Sequence, residues 1–203
     1  MEPSIKGCAL RFLDQWFLEE EKLYDGLKPG NTDEEKLKTL KGAMRYFSIA
    51  RNFPTKHDKG RSPNRFRLVI SALGEVDVQK ESILEVADLQ GRLSEDYGGR
   101  RFYSAASKLL WLLKRDDVII YDSQVRKSLG FPREDYSEYC EIWEGEFSKL
   151  ESDIRSACNE LETNYGWAVC SGGVPDSEVR QTVAEPWFHR RVFDTYHWFR
   201  AGM

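Results

Sequence analysis

The 203 residues carry a formal net charge of −4, with 40% hydrophobic and 32% charged side chains, which suits one domain with a sizeable core under a strongly polar surface. No apolar run reaches the ~18 residues of a membrane span, and the opening MEPSIKGCALRF has no charged region followed by an apolar stretch, so neither a membrane nor a secretory leader is expected and the expected location is cytoplasmic. Cys8, Cys140, Cys158 and Cys170 form no CxxC and have no histidine at ligand spacing, so free thiols are expected, with no metal and no cofactor.

Leu10 to Tyr24 reads as an amphipathic helix with Leu10, Leu13, Phe17 and Tyr24 near one face and Glu19-Glu20-Glu21 on the other. Pro29-Gly30-Asn31 breaks it, and Thr32 with Glu35 forms a capping box for a helix running to about Arg51. Phe53 to Pro63 is a basic loop. Helix returns near Asn64 and ends near Gly74, and Asp77 to Asp96 is the next. The turn Tyr97-Gly98-Gly99 leads through Arg100-Arg101 into Phe102 to Lys114, the most apolar helix, with Ala105, Leu109, Leu112 and Leu113 inward and Trp111 at one edge. Val118 to Ile120 is an extended buried segment. Asp122 or Ser123 then caps a helix through Leu129, which Gly130-Phe131-Pro132 stops. Tyr136 to Asn164 is a long acidic helix, Gly166 to Pro175 a glycine-rich loop, and Ser177 to Ala184 and Pro186 to Ala201 the last helical unit. No segment can seed a sheet, so the expected fold class is all-α, a compact multi-helix domain of about eight helices. It is expected to form one domain, dividing if at all into helical lobes over 1–97 and 98–203.

The charge is unevenly spread. Arg51 to Arg67 holds six Lys/Arg against one Asp, Arg100 to Lys127 seven against three, and Glu134 to Glu162 ten Asp/Glu against two Lys/Arg. Local basic surface beside an acidic flank can steer a polyanion whatever the sum. No GxxxxGK[ST], GxSxG or HExxH occurs, so P-loop, serine-elbow and zincin chemistries are set aside. His189 and His197 lie eight residues apart on one helix, too far to ligate one metal, and His197 reads as a packed histidine.

The stretch Ser104-Ala105-Ala106-Ser107-Lys108 through Tyr121-Asp122-Ser123-Gln124-Val125 resembles the helix-hairpin-helix DNA glycosylase superfamily and its all-helical relatives. There a GxGxK hairpin leads into an apolar helix, and a buried segment then delivers an aspartate at the start of the next helix. Ser104 and Ala106 stand where the hairpin glycines would be, Gly98-Gly99 lies a few residues earlier, and the Lys-to-Asp interval is short. Arg191-x-x-Asp194-x-x-x-Trp198 is similar to the closing helix of such relatives.

The resemblance implies excision of a damaged or modified base from double-stranded DNA by a monomer, in repair or in defence against modified foreign DNA. Asp122 would stabilise the oxocarbenium-like sugar or activate the attacking nucleophile, staying ionised at a helix N-terminus. Lys108 would attack the sugar or contact a phosphate. Arg100, Arg101, Ser104, Ser107, Arg126 and Lys127, with Lys56, Lys59 and Arg61 of the basic loop, would hold the nucleic acid. Phe102, Tyr103, Trp111, Tyr121, Trp187 and Trp198 would wall a pocket for the flipped base. The residues by themselves leave plainer roles open: Asp122 as an N-cap, Lys108 as a solvated lysine, the tryptophans as core. A non-catalytic nucleic-acid-binding or protein-interaction module on the same scaffold is the alternative, and an acidic helix docking a basic partner a third.

Overall fold

A computed structural model describes residues 2–53, 66–76 and 80–202, and every regular element among them is helical. The helices are α1 (Ile5–Gln15), which runs through a π-helical stretch (Trp16–Glu20) into α2 (Glu21–Gly26), then α3 (Asp33–Tyr46), α4 (Arg67–Gly74), α5 (Ser82–Asp96), α6 (Tyr103–Trp111), α7 (Ser123–Ser128), α8 (Tyr136–Asn164), α9 (Asp176–Ala184) and α10 (Pro186–Ala201). The chain forms two compact units. One joins Met1–Glu21 to Asp122–Met203, and the other is the intervening Lys22–Tyr121. The division therefore does not fall near residue 97, because α5 and α6 pack as a hairpin within the intervening unit and α1 packs on α8 and α10.

In the discontinuous unit, the Ser4 side chain accepts the Gly7 amide at 3.4 Å and starts α1 five residues earlier than the apolar periodicity suggests. Cys8, Ala9, Phe12 and Leu13 form its buried face. The Glu21 amide then donates to the Trp16 carbonyl, the wider bonding of a π turn. This rotation carries Trp16, Phe17 and Glu20 inward together, so Glu20, expected on the polar face, is only 1% exposed. α8 is the long spine of the unit. Asp135 caps it by accepting the Glu138 amide at 3.0 Å, and its Trp143 stacks on Phe147 and meets the α10 residue Phe193 edge-on.

In the intervening unit, α3 opens with the full capping box: the Glu35 amide donates to Thr32 Oγ1 at 3.3 Å and the Thr32 amide to Glu35 Oε2 at 2.9 Å. The helix ends at Tyr46, before Arg51, and Ser48 adopts φ 55° just after it. Gly26 packs so closely on Thr39 that a Cβ would not fit. Phe53 gathers Tyr97 and Phe102 at ring separations of 5.0 and 5.2 Å. Glu85, on α5, is fully buried and receives two hydrogen bonds of 3.1 Å from the Lys114 ammonium, which also donates to the Lys80 carbonyl. Removing one partner of such a pair strands a buried charge. Lys114→Met is accordingly expected to destabilise the protein by about 3 kcal/mol in urea unfolding, far more than removal of an exposed pair such as Lys149–Glu146.

Candidate functional site

The candidate residues divide between the two units, Lys108 in the intervening one and Asp122 in the discontinuous one. Each is built by its own neighbours.

The α5–α6 hairpin turns on Gly98 and Gly99, with φ of 87° and 78°, the left-handed region where glycine carries no steric cost. The Gly99 amide reaches back to the Ser94 carbonyl at 2.7 Å, closing α5 by the six-to-one bond of a Schellman turn. Arg100 and Arg101 follow on the surface. α6 then runs inward. Ser107 is fully buried and its hydroxyl accepts the Tyr121 amide at 2.9 Å. It therefore anchors the buried extended segment Val118–Tyr121 and is not exposed to a phosphate. Lys108, expected to be either solvated or aimed at a sugar, is only 7% exposed and donates to Ser104 Oγ at 3.2 Å, one turn back on the same helix. Trp111, placed at an edge by periodicity, is buried, and the helix stops there, short of Lys114.

Asp122 is the first residue of the discontinuous unit after the chain returns to it. It sits at φ −107° and ψ 138° as the N-cap of α7, and its Oδ1 accepts the Gln124 amide at 2.8 Å. The residue is half-buried. α7 is held against α10 by two side chains: Lys127 Nζ donates to the Ala201 carbonyl at 2.9 Å, and Ser128 Oγ lies 2.8 Å from His197 Nδ1. Arg126 donates to the Arg133 carbonyl at 3.0 Å. Arg126 and Lys127, expected at phosphates, thus also serve as tethers of α7. Burial pushes the His197 imidazole down to about 4, with the nearby Arg200 adding to the effect, so this histidine stays neutral.

The same unit holds a buried charge cluster that the sequence did not disclose. Asp194 on α10 accepts Trp143 Nε1 at 2.8 Å and Arg191 Nη1 at 3.1 Å, and Arg191 Nη2 donates to Glu20 at 3.0 Å. Burial raises the Asp194 carboxyl to about 6, against the opposing pull of Arg191 and Trp143; Asp122 adds to the rise. The Tyr139 phenol is held well above its usual value by burial first, then by the charges of Asp194 and Asp122. The Arg191-x-x-Asp194 spacing is the local signal for this cluster. Nothing in the local pattern indicates that Glu20 turns inward to meet it.

The expected base-pocket residues divide between the two units. Tyr103, Trp111 and Tyr121 belong to the intervening unit, with the Tyr103 and Tyr121 rings 5.9 Å apart. Trp187 is core, against Trp16 and Phe12, while Trp198 is 48% exposed. A groove of about 480 Å³ runs between α8 and the α9–α10 junction, lined by Phe147, Glu151, Arg155, His189 and Arg190 among others, and Asp122 does not line it. Lys56, Lys59 and Arg61 lie outside the described residues. Among the described residues no group of three or more His, Cys, Asp or Glu can hold a metal ion, and no helix is long and apolar enough to cross a membrane. All four cysteines are buried, and burial pushes the Cys140 and Cys158 thiols up to about 12. No protein-family model, no curated protein and no solved structure matches the chain.

The raised Asp194 carboxyl has a definite thermodynamic sign. The folded state holds its proton above the ~3.9 of an unfolded aspartate, so stability is greatest below that value and is lost as pH rises to about 6. Measured against Asp194→Asn, which keeps an acceptor for Trp143, the wild type is expected to lose about 3 kcal/mol between pH 3 and 7 and to stay level above. Urea unfolding of both proteins across that range checks it.

Proposed function

We propose that this chain is a DNA glycosylase-like protein that removes a damaged or modified base by hydrolysis, with Asp122 as its working carboxylate. The observation that carries the reading is Asp122 itself. It is a partly exposed aspartate whose Oδ1 accepts the Gln124 amide, following a buried extended segment that Ser107 anchors at Tyr121. In the reaction, water adds to the sugar carbon as the N-glycosidic bond breaks, the bond's electron pair leaves with the base, and Asp122 takes the water proton. Its negative charge also stabilises the cationic sugar as it forms. The exposed Arg100 and Arg101, after the Gly98-Gly99 turn, serve as phosphate contacts. Lys108 points back to Ser104 within the α6 packing, which supports water, rather than a lysine, as nucleophile.

A second reading, a nucleic-acid-binding module without chemistry, draws on the same burial of Ser107 and Lys108 and on the adequacy of Asp122 as a simple N-cap. Base release from a panel of damaged and modified duplexes separates the two. The wild type is expected to release a base from at least one duplex and Asp122→Asn to be slower by roughly 100-fold or more, as expected for loss of a group acting in proton transfer; borohydride is expected to trap no covalent adduct. No release from any duplex, with DNA affinity intact in both proteins, overturns the enzymatic reading.

Binding gives an independent check. Arg100→Ala with Arg101→Ala is expected to weaken duplex affinity and to reduce the slope of log K against log salt by roughly 2, about one per lost phosphate contact. An unchanged slope removes this turn from the interface.

A further inference from the structure

We propose that the groove between α8 and the α9–α10 junction binds a neutral nucleobase, free or carrying its sugar, with His189 Nδ1 accepting a ligand N–H and the Asn159 amide donating to a ligand carbonyl or ring nitrogen. In taking a nucleobase as the ligand the proposal rests on the excision reading above, which releases one; the hydrogen-bonding chemistry rests on the groove's own residues.

The groove belongs to the discontinuous unit alone, and its volume of about 480 Å³ is that of a small-molecule site. Phe147, Glu151, Arg155 and Asn159 follow one another by four residues along α8 and so share one face of it. His189, in the first turn of α10, lines the same groove. Phe147 is a fixed wall, because its ring stacks on Trp143 at 5.2 Å and meets Phe193 edge-on at 5.6 Å. His189 is only 8% exposed, and its Nε2 lies 2.9 Å from the Val183 carbonyl. A carbonyl only accepts, so Nε2 carries the hydrogen. Burial holds the imidazole below its usual value against the effect of that carbonyl, and the charge of Arg155 adds to the lowering. The ring is therefore neutral and Nδ1 is a bare acceptor. Among the described residues Nδ1 has no hydrogen-bond partner. An acceptor this deeply placed and left without a donor costs free energy, which a ligand N–H recovers.

The balance of charge selects a neutral ligand. Arg155 donates to Glu151 at 2.8 Å. Arg190 donates to Glu144 and lies 5.4 Å over the Trp143 ring. Each guanidinium of the groove thus has its own carboxylate. An anion would have to displace a glutamate, and a cation would meet the guanidiniums. A neutral ligand meets neither obstacle. The Asn159 side chain has no hydrogen-bond partner among the described residues, and both arginines keep N–H groups beyond their glutamate bonds. Donors, one deeply placed acceptor and a rigid aromatic wall are what a flat heterocycle with N–H and carbonyl groups requires.

Side-chain ¹⁵N NMR of the full chain tests this without any duplex. The His189 ring and Asn159 amide signals are assigned by their loss in His189→Gln and Asn159→Ala. Adenine, cytosine, hypoxanthine and uracil, with their nucleosides, are each titrated at neutral pH. At least one is expected to move the His189 Nδ1 signal in the direction of a hydrogen-bonded acceptor and to shift the Asn159 amide over the same concentrations. A response to base or to nucleoside supports the site. Asn159→Ala is expected to weaken that binding by roughly 3- to 10-fold, the worth of one hydrogen bond. Ala184→Trp, on the groove wall, is expected to abolish it by filling the space. Both positions are exposed, so these variants and the Asn159 signal carry the test should His189→Gln fail to fold. Silence of both signals toward every base and nucleoside overturns the proposal. So does binding that Ala184→Trp leaves intact, or a response to benzoate or inorganic phosphate where no base gives one. A responding groove without base release by the wild type from any duplex leaves the site standing and removes the excision reading; base release with a silent groove does the reverse.

Discussion

The discontinuous unit depends on the guanidinium of Arg191. It donates to Glu20 near the start of the chain and to Asp194 one turn along its own helix, and it lies 5.0 Å over the Phe12 ring. Planar and always charged, an arginine can serve two carboxylates and an aromatic face at once, which a lysine cannot. Without it, both carboxylates would be buried at a severe desolvation cost. Glu20 reaches it only because the helix widens into a π turn at Trp16–Glu20, and Trp143 closes the cluster from α8. The N-terminal helix, the α8 spine and α10 are thereby fixed to one another through polar contacts as well as through the Phe12, Trp16, Trp187 and Phe188 aromatic core.

Around this frame the polar groups near Asp122 are arranged by degree of burial. Asp122 is half-buried and takes an amide hydrogen bond. Asp194 and Tyr139 are sealed, and both resist ionisation chiefly because of burial. His197 is likewise sealed and neutral, so it serves α7 as a hydrogen-bonding post to Ser128 and not as a proton donor. Asp194, which burial raises to about 6, is too deeply buried to meet a substrate directly.

Much of the local architecture is legible in the order of the residues. The Thr32–Glu35 capping box, the Asp122 N-cap, the start and end of α8 and the Pro186 start of α10 all fall where the residues indicate. Each is decided by groups within four residues of one another, so the chain carries the whole reason locally. The expectations that changed are of another kind. Lys108 and Ser107 are polar residues on an apolar helix, and periodicity alone cannot say whether the surrounding structure closes over them. It does, because Ser107 finds the Tyr121 amide fourteen residues away and Lys108 finds Ser104. The tryptophans divide in the same way, with Trp111 and Trp187 buried, each in its own unit, and Trp198 at the surface.

The sequence by itself determined that the chain is helical, where α8 and α10 begin and end, and that Asp122 or Ser123 caps the helix after Val118–Tyr121. These follow from hydrogen bonds and side-chain periods that span a single turn. Only the tertiary structure decided that Met1–Glu21 joins the C-terminal half, that Glu20 turns inward, and that Arg191 binds two carboxylates. Those outcomes depend on which desolvated charges find partners across the fold, and a buried charge is tolerated only where distant parts of the chain bring its partner to it.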